Sequence, residues 1–170
     1  PWTDYASGDA CTGGNCDRRG EYLKAATDLL ISDLEWIVAQ WSEGGEARAA
    51  VLSDADAGIA AMLTGMGSLS YGETAGERMR LGVMLNDPEE EHSCFADNTH
   101  NDHFYNGVGI QSVYLGSYTG IDGRVIEGPS LSDLVAEVDP VLDMEMQMKL
   151  SEAIQALGRI KTAAEAGFTY

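Results

Sequence analysis

Apolar residues recur at three- and four-residue steps along most of the chain, which is the spacing of one face of an α-helix. The first such run begins at Asp17 and ends at Gly44-Gly45. Its apolar face carries Tyr22, Ala26, Leu29, Leu30, Leu34, Ile37, Val38 and Trp41. A second helix is predicted from the cap-like Ser53-Asp54 to about Leu85. Its many glycines predict a kink or close packing against a neighbour, because glycine weakens a helix interior.

The second half of the sequence continues this helical pattern after a break at Asn86-Asp87-Pro88. Three further helices are predicted, from about 98 to 117, from Ser130, and from about 140 to 166. Two polar segments separate the helices, a loop at 86–98 and a connection at 119–129 with a short extended stretch near 124–126. Strand-like alternation is not sustained anywhere. The predicted fold class is therefore an all-α helical bundle extending over 17–170.

Residues 1–16 form a separate segment, rich in Gly, Asp and Ser and without periodicity, that is typical of a loop. Cys11 and Cys16 bracket a flexible Thr-Gly-Gly-Asn turn, which predicts a disulfide closing this loop. A zinc site is the weaker interpretation, because the flanks supply only aspartates as further ligands. A disulfide indicates an oxidising compartment. Cys94 is left over and is expected to be a small apolar residue rather than a nucleophile.

The charge balance excludes some partners. The chain has 28 Asp and Glu against 10 Lys and Arg, which gives a formal net charge of −18. Such a charge repels phosphate backbones, so no nucleic-acid partner is expected. No apolar run reaches the roughly 18 to 20 residues that span a bilayer. The sequence opens without an initiator Met or a signal-peptide pattern, so we expect a piece of a longer protein. The predicted disulfide indicates that this protein is exported.

The candidate chemistry is concentrated around the three histidines, His92, His100 and His103. On a helix, Asp97, His100 and His103 would lie three residues apart and share a face. A carboxylate beside imidazoles suits a divalent metal such as iron or zinc, or a histidine acting as acid or base. The alternative is that His100 satisfies backbone groups at a helix start while the other two lie at the surface. The spacing is not the His-Glu-x-x-His pattern of zinc peptidases.

Two stretches give the chain a family resemblance. Cys94-Phe95-Ala96-Asp97-Asn98-Thr99-His100, followed by Gly109-Ile110-Gln111-Ser112-Val113-Tyr114-Leu115-Gly116-Ser117-Tyr118, resembles the imelysin family, and residues 11–19 are similar to its iron-regulated branch. Imelysins are bacterial proteins of the periplasm or outer membrane, and some are lipoproteins. The resemblance implies two related helical-bundle domains with a site near their interface. Within the resembling block and the histidine cluster, the candidate ligand-binding residues are Asn98, Asp102, Gln111 and Tyr114.

The sequence departs from the family at one motif. No histidine here is followed three residues later by Glu, so the family's Gly-x-His-x-x-Glu is absent. In family members that motif lies upstream of the segment resembling 1–5. The partner expected for this chain is therefore the remaining part of the same protein, which would carry the motif.

Three hypotheses for the function follow from the residues and the resemblance. The first is iron or metal acquisition, with a metal ion or a metal-containing ligand bound by Asp97, His100 and His103. The second is a metallopeptidase, since family members have been classed as such. The third is a non-catalytic helical scaffold for interactions.

Overall fold

The computed structural model describes residues 2–168, and the helical bundle predicted from the apolar spacing is confirmed. Its α-helices span Cys16–Trp41 (α1), Glu46–Leu52 (α2), Ala55–Gly67 (α3), Arg80–Leu85 (α4), Thr99–Leu115 (α5), Leu131–Val138 (α6) and Pro140–Glu165 (α7). A π-helical segment, Ser68–Met79, joins α3 to α4 without a break. The glycine-rich second helix that the sequence predicts is thus one continuous helical run, in which the winding changes from α to π at Ser68 and back to α at Arg80. Packing divides the chain into two units, one extending to Gly58 and the other starting at Ile59.

The first unit begins with two short 3-10 turns, Trp2–Tyr5 and Gly8–Ala10, within the segment that was expected to be loop. The predicted disulfide between Cys11 and Cys16 is present, with the two Cα atoms 5.7 Å apart. Cys16 is buried and is also the first residue of α1. The disulfide therefore fixes the N-terminal turns to the start of the long helix.

The core of the second unit lies around α5, which packs against α7, α6 and the π-helical segment. Two glycines allow the helices of the main pair to approach closely. A Cβ atom on Gly107 of α5 would lie 2.8 Å from Leu157 Cδ1, and one on Gly158 of α7 would lie 3.5 Å from the Phe104 ring. A side chain at Gly107 would therefore require Leu157 to shift, whereas a methyl group at Gly158 would make an ordinary van der Waals contact with Phe104.

A small antiparallel hairpin follows α5, formed by Ser117–Thr119 (β1) and Val125–Glu127 (β2), with Tyr118 opposite Ile126. The predicted helix at 98–117 is therefore slightly too long, because Gly116 ends it. Gly116 has a φ of +60°, and a Cβ atom there would lie 2.9 Å from the carbonyl oxygen of Gly128. That conformation and that contact both favour glycine.

The last two helices begin where their sequence signals predict. Ser130 and Asp133 form a reciprocal capping box at the start of α6. At the start of α7, the carboxylate of Asp139 accepts hydrogen bonds from the backbone of Val141 and Leu142, both at 3.0 Å. In residues 2–168 no single helix is both long and apolar enough to cross a bilayer. The consecutive stretches 16–52 and 55–85 have the required length and composition only when they are taken together.

Candidate functional site

The loop before α5 is held onto the first turns of that helix by Ser93. The Ser93 backbone N–H donates to the hydroxyl of the buried Thr99 at 2.9 Å. The Ser93 hydroxyl donates to the carboxylate of Asp102. Because Ser93 is fixed at both its backbone and its side chain, its neighbour His92 is placed beside the start of α5.

A polar pocket of about 570 Å³ opens at this place. Its lining residues come from one face of α5, from the preceding loop and from the π-helical segment, and they are Arg78, His92, Asn98, Asn101, Asp102, Tyr105 and Asn106. Arg78 is only partly exposed and forms a salt bridge with Glu73 at 3.2 Å. The pocket therefore combines a carboxylate, an imidazole, a guanidinium and several amides, which is a set that suits a polar ligand.

His103 is buried beside this pocket, with only 1% of its surface exposed. Burial lowers the pKa of His103, and the nearby His92 and Arg78 lower it further, while Asp102 opposes them. The lowered pKa favours the neutral imidazole, which is the form that binds metals. Its Nδ1 atom has no hydrogen-bond partner within the described residues. The same holds for the buried Nδ2 atom of Asn106, so two polar groups here lack a partner.

The three residues that the sequence grouped as metal ligands have different neighbours in the structure. Asp97 is exposed and lies in a left-handed turn, with a φ of +48°, before α5 begins. The Nε2 atom of His100 lies 3.1 Å from Asn101 Nδ2. His100 also lies near the end of α7, where Lys161 chiefly, and His100 to a smaller extent, lowers the pKa of Glu165. His103 lies instead near His92 and Arg78.

No group of three or more His, Cys, Asp or Glu side chains in the range 2–168 is arranged to hold a metal ion. The metal assignment of Asp97, His100 and His103 therefore stays a prediction. The sequence grouping did not include Arg78, Asn101, Tyr105 and Asn106 of the pocket, and it gave His92 no ligand role. His92 could have been included because of its place in the histidine cluster. Arg78 carries no local signal, because only the packing of the π-helical segment on α5 brings it there.

The four predicted ligand-binding residues occupy three different environments. Asn98 and Asp102 line the polar pocket. Gln111 lines a second pocket, of about 640 Å³, between α5 and the β1–β2 hairpin. Tyr105 borders both pockets. Tyr114 lies in the core, with 1% of its surface exposed.

Tyr114 belongs to a buried hydrogen-bond network that joins α5, α6 and α7. Its hydroxyl donates to the carboxylate of Asp143 at 2.9 Å, and Ser132 donates to the same oxygen at 2.6 Å. Gln147 donates to the other oxygen at 2.8 Å. These bonds, that of Ser132 first, lower the pKa of Asp143. Burial, followed by the hydrogen bond with Asp143, raises the pKa of Tyr114 to about 12. All three donors are neutral, so the network stabilises one buried carboxylate without a salt bridge.

The family resemblance is confirmed by comparison with protein-family models. The model described as Imelysin matches residues 1–169, which is nearly the whole chain. Comparison with curated proteins gives no significant match. Imelysins are a metallopeptidase family and are generally extracellular or periplasmic. With a match of this extent, the chain belongs to the imelysin family.

Proposed function

We propose that this chain takes part in iron or metal acquisition, in the periplasm or at the outer membrane, by binding a metal ion or a metal-containing ligand in the polar pocket at the start of α5. The observation that carries the proposal is that Asp102 and His92 line a polar pocket beside the buried imidazole of His103. Among the described residues the Nδ1 atom of His103 has no hydrogen-bond partner. A buried polar atom without a partner is costly, and a ligand that reaches this atom from the pocket would relieve that cost.

The charges of the pocket favour the metal-containing ligand over the free ion. Arg78 would repel a divalent cation placed beside His92 and Asp102. The same guanidinium can donate hydrogen bonds to the carboxylates of a chelate. Within the described residues the chain does not offer a complete ligand set for a bare ion. A chelate would bring most of its own ligands to the metal.

Calorimetric titration of the full-length protein with ferrous ion, zinc ion and ferric citrate would test this proposal. His92→Ala changes an exposed residue and should weaken binding about tenfold or more, as loss of a ligand or its support usually does. The matched control is His100→Ala, which changes a histidine outside the pocket and should bind as the wild type does. If His100→Ala weakens binding and His92→Ala does not, the set Asp97, His100 and His103 is the correct one and the pocket is not the site.

Arg78→Gln separates the two ligand classes. Removing the guanidinium should weaken the binding of ferric citrate and leave the binding of a free divalent ion equal or stronger. Weaker binding of the free ion in Arg78→Gln would contradict the role given to this arginine. Circular dichroism of each variant reports whether the helical fold is retained.

A second candidate function is metallopeptidase activity, which the family match favours. A peptidase of this kind needs a metal to activate water and a general base to accept the proton. The described residues do not supply that arrangement, so no catalytic step is assigned to them. Hydrolysis of a denatured protein substrate by the full-length protein, with and without a chelator, tests this function. Cleavage that a chelator abolishes would support it, and the absence of such cleavage would remove it.

A further inference from the structure

The polar pocket and the second pocket, which lies between α5 and the β1–β2 hairpin, follow one another along α5. Tyr105 lines both of them. The helix contributes residues to the two pockets at alternating steps of four and three, which is the spacing of a single helical face: Asn101, Tyr105, Val108, Ser112 and Leu115. These residues extend over about 21 Å of the helix axis. The two pockets therefore form one groove along a single face of α5.

The two ends of this groove differ in charge. Arg78, His92 and Asp102 line the polar pocket. The second pocket, of about 640 Å³, has no charged side chain among its lining residues. A charged group placed there would lose hydration without gaining an opposite charge. The second pocket therefore suits an uncharged part of a ligand.

The second pocket also offers hydrogen-bonding groups and uncovered apolar surface. The side chains of Gln111 and Ser112 make no hydrogen bond with another residue that the structure describes. Tyr118 of β1 is 55% exposed, and Ile121, in the turn between the two strands, is fully exposed. Both residues line the pocket. An arm that combines apolar groups with an amide would cover this surface and could bond these polar side chains.

We propose that the ligand of the polar pocket is a metal chelate that carries an uncharged organic arm, and that this arm lies in the second pocket. The metal-binding head lies in the polar pocket, so this inference rests on the proposed function. Because Tyr105 borders both pockets, one molecule can reach from the first to the second along the same face of α5. The arm supplies contact area and no ligand to the metal, so its effect on affinity depends on the second pocket.

The arm is tested with two ferric chelates that have the same head. One is ferric nitrilotriacetate, and the other carries a butyl chain ending in a benzamide on one carbon of the nitrilotriacetate. In calorimetric titrations of the full-length protein, the extended chelate should bind about tenfold more tightly, because the apolar area that the arm buries outweighs the cost of ordering it. Equal affinities would overturn this inference and leave the proposed function standing. If neither chelate binds, the proposed function fails and this inference fails with it.

The location of the arm is tested with two substitutions of the same kind in α5. Val108 lines the second pocket and not the polar pocket, so Val108→Phe should fill the space of the arm and abolish the tenfold preference. Val113 is 45% exposed and lines neither pocket, so Val113→Phe should keep that preference. Ile121→Asp changes a fully exposed residue and should also reduce the preference, by placing a charge beside the arm without a change in packing. A preference that is retained in Val108→Phe and Ile121→Asp, or lost in Val113→Phe, would place the arm elsewhere and overturn the proposal.

Discussion

Replacing Tyr114 by Phe should destabilise the protein by removing one oxygen atom from the buried contact between α5 and α7. The aromatic ring stays in place, so the packing of the core is kept. What is lost is the hydrogen bond of 2.9 Å from the hydroxyl to the carboxylate of Asp143. Ser132 and Gln147 remain as donors, so the carboxylate keeps partners on both of its oxygens.

The size of the effect follows from the charge of the acceptor and the burial of the donor. A hydrogen bond to a charged group contributes about 1.5–3 kcal/mol, against about 1 kcal/mol for a neutral pair. Tyr114 is 1% exposed, so water cannot replace the lost bond. We expect Tyr114→Phe to lower the free energy of unfolding by about 2 kcal/mol. For a chain of this size that corresponds to a fall in Tm of roughly 4–8 °C.

The assay is urea unfolding followed by circular dichroism, with Tyr118→Phe as the matched control. Tyr118 lies in β1 and is 55% exposed, so its hydroxyl is accessible to water. The control should lie within about 0.5 kcal/mol of the wild type, as most surface substitutions do. If Tyr114→Phe is equally close to the wild type, the network makes no net contribution to stability and the reasoning is refuted.

Three further predictions concern pH, helix starts and the disulfide. Tyr114 has a pKa of about 12 in the folded state against about 10 when unfolded, so its contribution to the free energy of unfolding is complete below pH 10 and should be lost as the pH rises towards 12. The free energy of unfolding should therefore fall less between pH 10 and 12 in Tyr114→Phe than in the wild type, and an equal fall in both proteins would contradict this. Ser130→Ala and Asp139→Ala each remove a helix cap and should lower the free energy of unfolding by about 1 kcal/mol in urea titrations, whereas unchanged midpoints would show that the caps are dispensable. Reduction of Cys11–Cys16 should cost about 2 kcal/mol in the same titrations, and an identical curve for the reduced protein would contradict the role of the disulfide.

The helices could be predicted from the sequence because their signals are local. The predicted last helix, 140–166, matches the observed Pro140–Glu165, since Asp139 and Pro140 define its start. The disulfide was equally accessible, because Cys11 and Cys16 are separated by one short turn. The short α2 and the β1–β2 pairing carry weaker signals. Both elements are short, and the hairpin depends on contacts that Gly116 makes with residues after β2.

The candidate site was only partly predictable, because its geometry depends on packing between distant segments. The sequence pointed to the region of the polar pocket, since Asn98 and Asp102 line it. It could not show that His100 lies near α7 while His103 lies near the π-helical segment. It also could not assign Tyr114 to the core, because its partner Asp143 is 29 residues away along the chain.

The π-helical segment makes the second unit sensitive to the length of the chain as well as to its composition. Thr74 and Met79 both line the apolar groove between this segment, α5 and α7, and in a π-helix residues five apart lie on one face. Deleting one residue between them would rotate everything beyond the deletion relative to Thr74. Arg78 would then turn away from the polar pocket at the same time. A single deletion in 75–77 should therefore disturb the apolar groove and the polar pocket together, whereas substitutions at the same positions would leave the register of the helix intact.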